Sequence, residues 1–526
     1  MGKQRAYVAF VLVMLLLSIA ASTVWAAGSG KSLSYKVTGE VPNQTIQVTT
    51  GLSDYVFSES QGTLKSDFLS FAPYGSSVVE LVPGTKTDAK TLGRQYTADT
   101  IFPFAIQAGD QTVADGFTAT VDQPSKDVLV LTFTGEVGGA TVTKTLTVHN
   151  DPYYTVDVAL SVDNPSPQDL PLRMAVGDYI PASKGPSLTY MFDGSPGTAV
   201  LAKGSYTSFD GLGLMDKATV FFLKVDQAAV SPFVERLPSG NQLFGVSLEA
   251  PSGKSSYTFT LYGGRRRYLL MAHSGLGTLD NPGSGARMII PVVQFLNLLY
   301  RYTGNFGWAI ILFTLLTRLV LYPLMRKQYH SMAKMQRLQP SMKKIQERFK
   351  SDRQLMQQKL MELYKKEGVN PMGGCLPMLI QLPILILLWK AILYSAEQIH
   401  FSPGFLWITD LSLRDPYFIL VILTTAVTML QQRLMTPMTT GDGGGSQKYM
   451  GYLFPLMMAL FLYNFPAGLW LYYFLTTLTQ VAQQLIVNRE LAQGEARLAP
   501  AMAGNSGDSA GDTEENGDGG DDQGGD

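Results

Sequence analysis

Residues 313–324 read FTLLTRLVLYPL, an apolar run with Arg318 at its centre. A helix in lipid that keeps a guanidinium at its middle must offset roughly 2.5–3.5 kcal/mol on insertion scales. Three arrangements can do this. Snorkelling is one, but Arg318 lies eight residues before Arg326, about 12 Å along a helix, which the side chain spans only in part. An ion pair inside a helix bundle is the second, yet none of the apolar runs holds an Asp or Glu away from its ends. The third is a water-containing cavity, and the sequence favours it. Thr314 and Thr317 flank the arginine within one turn, and Gln381, Gln431, Gln432 and Gln480 lie in other apolar runs. Such residues ordinarily serve helix packing; their coincidence with a charge points to a hydrophilic interior.

Six runs are apolar enough to predict membrane spans, at 6–28, 306–325, 372–394, 416–435, 449–464 and 467–487. The first follows Lys3 and Arg5 and reads as a signal-anchor, while Val24 and Ala26 equally suit the positions before a cleavage site. The loop at 326–370 carries twelve Lys or Arg against four acids and is predicted cytoplasmic. The loop at 395–415 sets Glu397, Asp410 and Asp415 against Arg414 and belongs on the other side, so six spans return the C-terminus to the cytoplasm. Pro377 and Pro383 in the third span, and Pro455 in a short fifth one, predict kinks that thin the local bilayer. Residues 285–304, with Arg287 and Arg301, predict an amphipathic helix along the membrane surface.

Within the basic loop, Met332, Met335, Leu338, Met342, Ile345 and Phe349 recur at spacings of three and four, and Leu355, Met356, Leu360 and Leu363 do so again. This predicts a two-helix hairpin, with Ser351 or Asp352 capping the second helix and Gly368 ending it. Its positive excess attracts anionic lipid or ribosomal RNA. Methionines here and at Met429, Met435, Met438, Met457 and Met458 suit a surface that adapts to varied apolar helices, or a generic core.

Residues 29–280 alternate apolar and polar positions between Gly, Pro, Asn and Asp turns, as in KDVLVLTFTGEV and TKTLTVHNDPYYTVDVALSVDN, and predict an exported all-β sandwich. The fold class is thus an α-helical polytopic membrane domain plus an exported β domain. His149 beside NDP reads as a turn residue, and the domain offers no carboxylate pair or nucleophile context. One cysteine, Cys375, and four scattered histidines predict no disulfide, metal or cofactor. GSGKS at 28–32 lacks the first glycine of a phosphate loop, whose place Trp25 takes, and reads as a linker. A net charge of -1 gives no reason to expect DNA. No catalytic residue is expected.

GWAIILFTLLTRLVLYPL, QYHSMAKMQRLQP, ELYKKEGVNPMGGCLPMLIQLPI and FPAGLWLYYFLTTLTQVAQQ closely resemble the YidC membrane-protein insertases of Gram-negative bacteria, over roughly 285–490. The resemblance implies an inner-membrane insertase and chaperone with a five-helix core and a cytoplasm-open hydrophilic groove. It takes nascent membrane proteins from the ribosome, alone or beside the Sec translocon, and its exported domain is a β-supersandwich. The family's groove arginine matches Arg318, its substrate-contacting positions fall on Thr314, Leu382, Leu385 and Tyr473, and its mobile loop matches the hairpin. Many relatives end in a basic tail, whereas residues 491–526 are predicted to form a disordered acidic one, with Asp508, Asp512, Glu514, Glu515, Asp518, Asp521, Asp522 and Asp526 and, from residue 500 on, no Lys or Arg. The alternative is an anion transporter with Arg318 as ligand, against which no internal repeat is visible.

Overall fold

The structure, a computed structural model, describes residues 32–82, 100–109, 112–179, 186–197, 208–227, 229–280, 282–368, 376–435 and 445–503. The predicted first span, GSGKS up to Lys31, and residues 504–526 lie outside the described residues. The chain divides into two compact units: Met1–Leu315 with Pro383–Ile422 and Ala459–Tyr473, and Leu316–Leu382 with Leu423–Met458 and Phe474–Asp526.

The first unit contains the β domain. All its pairings are antiparallel, in three sheets. The five-stranded sheet runs Ser34–Thr38, Thr45–Thr49, Ser53–Ser58, Thr63–Leu69, Val79–Glu80. In the nine-stranded sheet the order is Ser195–Gly197, Ser187–Phe192, Phe209–Met215, Thr219–Gln227, Gly253–Arg265, Thr155–Asn164, Ala140–His149, Val128–Val137, Thr118–Ser125. The four-stranded one runs Val230–Arg236, Gln242–Ala250, Leu170–Tyr179, Ile106–Ala108. One apolar cluster joins the three, with Ile46 and Phe57 from the first, Leu131, Leu146 and Val158 from the second, and Met174 and Phe244 from the third. The alternation read in the sequence produces this: each second residue of Thr155–Asn164 is buried while its neighbours face outward. His149 ends its strand and bonds Asp157 across the sheet at 2.8 Å, which raises its pKa.

One core position breaks the pattern. Along Ala140–His149 the inward row is Ala140, Val142, Lys144, Leu146 and Val148, so a lysine replaces an apolar residue. Its Nζ donates to the Gln61 carbonyl at 2.5 Å and the Phe104 carbonyl at 3.1 Å, and sits 4.1 Å from the Phe117 ring centroid. Burial pushes its pKa down to about 7.

After the sheets come α1 (Tyr268–His273) and a single 3-10 turn (Gly277–Leu279). Next is α2 (Ser284–Thr303), ended by Gly304 at φ 65°. α2 buries Ile289, Val293, Leu296 and Leu299 yet exposes Met288, Phe295, Leu298 and Tyr302. At 100° per residue these form one broad apolar arc, part of it packed and part open, with Arg287, Gln294, Asn297 and Arg301 on the opposite side. The long helix α3 spans Phe306–Arg348, 43 residues or about 65 Å. The sequence predicts a span ending at 325 and a separate hairpin arm; good helix formers such as Met, Arg, Lys and Gln instead carry the helix through. Then follow α4 (Arg353–Lys366), α5 (Leu376–Tyr394), α6 (Ala396–Phe401), α7 (Ile419–Met435), α8 (Gly445–Leu462) and α9 (Ala467–Ala503). α9 continues thirteen residues past Glu490, where a tail is predicted, because Ala, Leu, Glu and Arg dominate that stretch. Among the described residues, one stretch, Phe306–Met335, is long and apolar enough to cross a membrane; Gln381–Tyr394 and Ile419–Arg433 are shorter apolar helices.

Within the first unit the β domain is fastened to helices α5 and α6. Arg267 ion-pairs with Glu397 at 2.6 Å and also donates to the Leu393 carbonyl, while the Tyr154 hydroxyl reaches the other Glu397 oxygen at 3.2 Å. Glu397 is fully buried. Around it, the Phe71 ring lies tilted against His400, centroids 4.2 Å apart, and His400 bonds Asp410 at 2.7 Å. Phe401 lies so close to Gly51 that a Cβ there would come within 2.7 Å of the ring.

Two outcomes follow. Glu397→Ala leaves the Arg267 guanidinium buried without its carboxylate and is expected to cost about 3–5 kcal/mol, whereas Arg267→Met combined with Glu397→Leu recovers most of it; unfolding of the whole chain in detergent checks both. For Lys144, the folded pKa is about 7 and the unfolded one ~10.4. The folded state releases its proton first, so Lys144 makes stability rise between these values as pH increases. Lys144→Met should flatten that rise in unfolding midpoints taken at pH 7 and 9.5.

Candidate functional site

Arg318 lies on α3 in the second unit and is 2 % exposed. Its Nη2 donates to the side-chain carbonyl of Gln381, near the start of α5. Gln381 is half-buried, and Leu382 beside it is 51 % exposed, the more open of the two. Thr317 precedes Arg318 and is half-buried.

A second polar contact joins α7 and α9, where Gln431 Nε2 donates to Gln480 Oε1 at 2.9 Å. Gln432 is half-buried on the same turn of α7. These two glutamines extend rows that sequence reasoning missed. On α9, Thr476, Thr477, Gln480, Gln483 and Gln484 are all buried, and on α7 so are Thr424 and Thr428. Thr428 donates back to the Thr424 carbonyl at 2.7 Å, and Gln484 to Asn488 at 3.1 Å. The signal was present: TTLTQVAQQ repeats Thr and Gln at spacings of three and four, which puts them on one side of a helix. The Thr476 hydroxyl and both amide atoms of Gln328, on α3, are buried with no hydrogen-bond partner among the described residues.

Three predicted contact residues belong to the first unit. Thr314 is fully buried and donates to its own helix at the Ile310 carbonyl, 2.7 Å away. Leu385 is half-buried, as is Tyr473, whose ring meets Trp470 edge-on at 6.4 Å. The structure thus brings Arg318 to Gln381 and Gln431 to Gln480.

The hairpin occupies the second unit. Asp352 caps α4, its Oδ1 accepting from the Gln354 and Leu355 amides at 3.0 Å each, and Gly368 follows at φ 62°. The aspartate, not Ser351, takes the capping role. Met335, Leu338 and Met342 are half-buried, and Tyr364 of α4 contacts the Met342 sulfur at 3.6 Å. Met332 lies on α3, its side chain outside the described residues. Below the hairpin, Met325 and Tyr329 pack on Val487 of α9, and Arg326 pairs with Glu490 at 3.1 Å. Among the described residues no three His, Cys, Asp or Glu side chains gather as a metal site.

Residues 298–494 match the family described as the 60Kd inner membrane protein. The chain is similar to the membrane protein insertase YidC of Citrifermentans bemidjiense, 40% identical over 245 residues. That match spans 46% of this chain and 45% of the relative, about half the length of each. The similarity to YidC of Syntrophus aciditrophicus is 31% identity over 495 residues, 88% of each chain, and to YidC of Wolinella succinogenes 35% over 72% of this chain and 69% of that one. A solved structure of an active YidC insertase shares the fold, with a TM-score of 0.55 at 23% identity over 90% of this chain and 98% of that one. Shared length, the β domain and the helical core agree: the chain belongs to the YidC family of membrane protein insertases.

Proposed function

We propose that this chain moves nascent membrane proteins into the inner membrane through a polar groove built on Arg318, alone or beside the Sec translocon. The observation that carries the reading is a buried guanidinium in an apolar helix that donates to the Gln381 side chain, next to exposed Leu382. A guest carboxylate brings a full opposite charge and two oxygens that match the guanidinium fork, and so competes with the Gln381 amide for Arg318. Buried Thr476 and Gln328 groups offer a polar guest further donors and acceptors. The apolar part of the guest then slides past exposed Leu382 into lipid. Burial of ~20 apolar residues drives the step, so no nucleotide is needed.

In this reading six spans cross the membrane, the β domain is periplasmic, and the hairpin and C-terminus are cytoplasmic. The twelve basic residues of 326–370 support that orientation. Facing the cytoplasm, they meet the ribosome and anionic lipid headgroups. Anion transport by Arg318 is not favoured, because family membership supports insertion and a half-exposed leucine beside the arginine suits a helix better than a solute.

Photo-crosslinkers at positions 382 and 473 should label ribosome-bound membrane-protein chains and leave soluble nascent chains unlabelled; equal labelling of both would remove the groove reading. Arg318→Gln should lower insertion of test proteins with acidic translocated tails several-fold more than that of neutral-tailed ones, read by protease protection. Equal loss for the two sets would separate Arg318 from tail recognition.

A further inference from the structure

The second unit presents a basic surface that the proposed function uses only as a general attraction. On α3, Lys334, Arg337, Lys344 and Arg348 are all exposed. At 100° per residue they fall within an arc of about 80°, one continuous stripe. Exposed Arg353, Lys365 and Lys366 of α4 extend the same charge. Acids are few here: Glu347, Asp352, Glu362 and Glu367.

The same chain carries the complementary charge. Residues 504–526 hold eight Asp or Glu and no Lys or Arg. Their attachment point is local, since Glu490 of α9 pairs with Arg326 at the foot of the hairpin and α9 ends at Ala503. From Glu490 the remaining helix extends about 20 Å, and 23 residues reach at most about 80 Å when fully extended. The α3 arm from Arg326 to Arg348 is about 33 Å long. Reach and target therefore match.

We propose that residues 504–526 dock in cis on the basic hairpin, as a tethered polyanion that anionic partners must displace. Single surface ion pairs contribute little. Tethering changes this, because covalent attachment within reach of the stripe raises the tail's effective concentration there to about the millimolar range. Many weak contacts then add without fixing one geometry. An anionic membrane or an RNA surface engages the hairpin only by exchanging places with the tail.

The test is zero-length carbodiimide crosslinking of the intact chain, one copy per nanodisc of zwitterionic lipid, read by mass spectrometry. A mixture of heavy- and light-isotope chains separates crosslinks within a chain from those between chains. At about 50 mM salt, tail carboxylates should join Lys334 and Lys344 within one chain, and yield should fall at least threefold at about 500 mM. Lys344→Gln with Arg348→Gln should lower the remaining Lys334 product at least twofold. Crosslinks absent at low salt, or spread equally onto exposed Lys126 and Lys254 of the β domain, would overturn the docking. Nanodiscs with about one-third phosphatidylglycerol should reduce the yield by a similar factor; an unchanged yield there would overturn displacement by anionic surfaces.

Discussion

A charge taken out of water must be given other dipoles, and the chain answers this demand differently in three places. Lys144 is held by two backbone carbonyls and the Phe117 ring, with burial still lowering its pKa to about 7. Arg267 meets a full counter-charge, Glu397, and the pair is closed further by Tyr154 and the Leu393 carbonyl. At Arg318 the bond goes to a side-chain amide. These arrangements differ in how readily they exchange. Separating Arg267 from Glu397 strands a fully buried carboxylate and a largely buried guanidinium, whereas the Arg318–Gln381 contact has a neutral acceptor. The first and second cases suit permanent structure, and the third suits a binding site.

Placement follows the same division. Arg267 and Glu397 are 130 residues apart in sequence and fasten the β domain to the end of α5 and to α6. Phe71 on His400, and Phe401 against Gly51, add a close-packed margin around the ion pair. Neither of the two charged partners is fit for exchange with a guest, because both lie inside that packing. Polar rows on α7 and α9 have no such counter-charge in them; they are threonines and glutamines, which trade hydrogen bonds at low cost.

What the sequence disclosed follows from the range of the forces involved. Alternation along Val128–Val137 and Thr155–Asn164 is a local pattern, and so is the Asp352 cap, whose donors are two and three residues away. Arg318 was legible because a charge in an apolar run contradicts its own neighbourhood. Lys144 was legible only in part: the period-two pattern of ATVTKTLTV puts it in the row of Val142 and Leu146, but the two carbonyls that hold its ammonium, from Gln61 and Phe104, are set by the fold. The Arg267–Glu397 pair was invisible for another reason, since Glu397 in isolation looks like an ordinary loop acid. Gln381 was named as a candidate from its polarity alone; its bond to Arg318, across 63 residues, is a property of the fold.

The continuity of α3 bears on how the hairpin and the arginine act together. Both sit on one helix, so any displacement of the hairpin arm reaches Arg318 unless the helix bends between them. Pro323 lies in that interval and Pro340 within the arm. A proline has no N–H, so Pro323 leaves the Leu319 carbonyl without its helical donor and clashes with the preceding turn, which makes this the compliant point of the helix. Arg318 lies five residues N-terminal to this point, and the hairpin arm lies beyond it. Met325 and Tyr329 packed on Val487, with Arg326 on Glu490, then define the pivot on the hairpin side. Pro323 thus stands, on one rod, between the turn that carries Arg318 and the arm that carries the basic stripe.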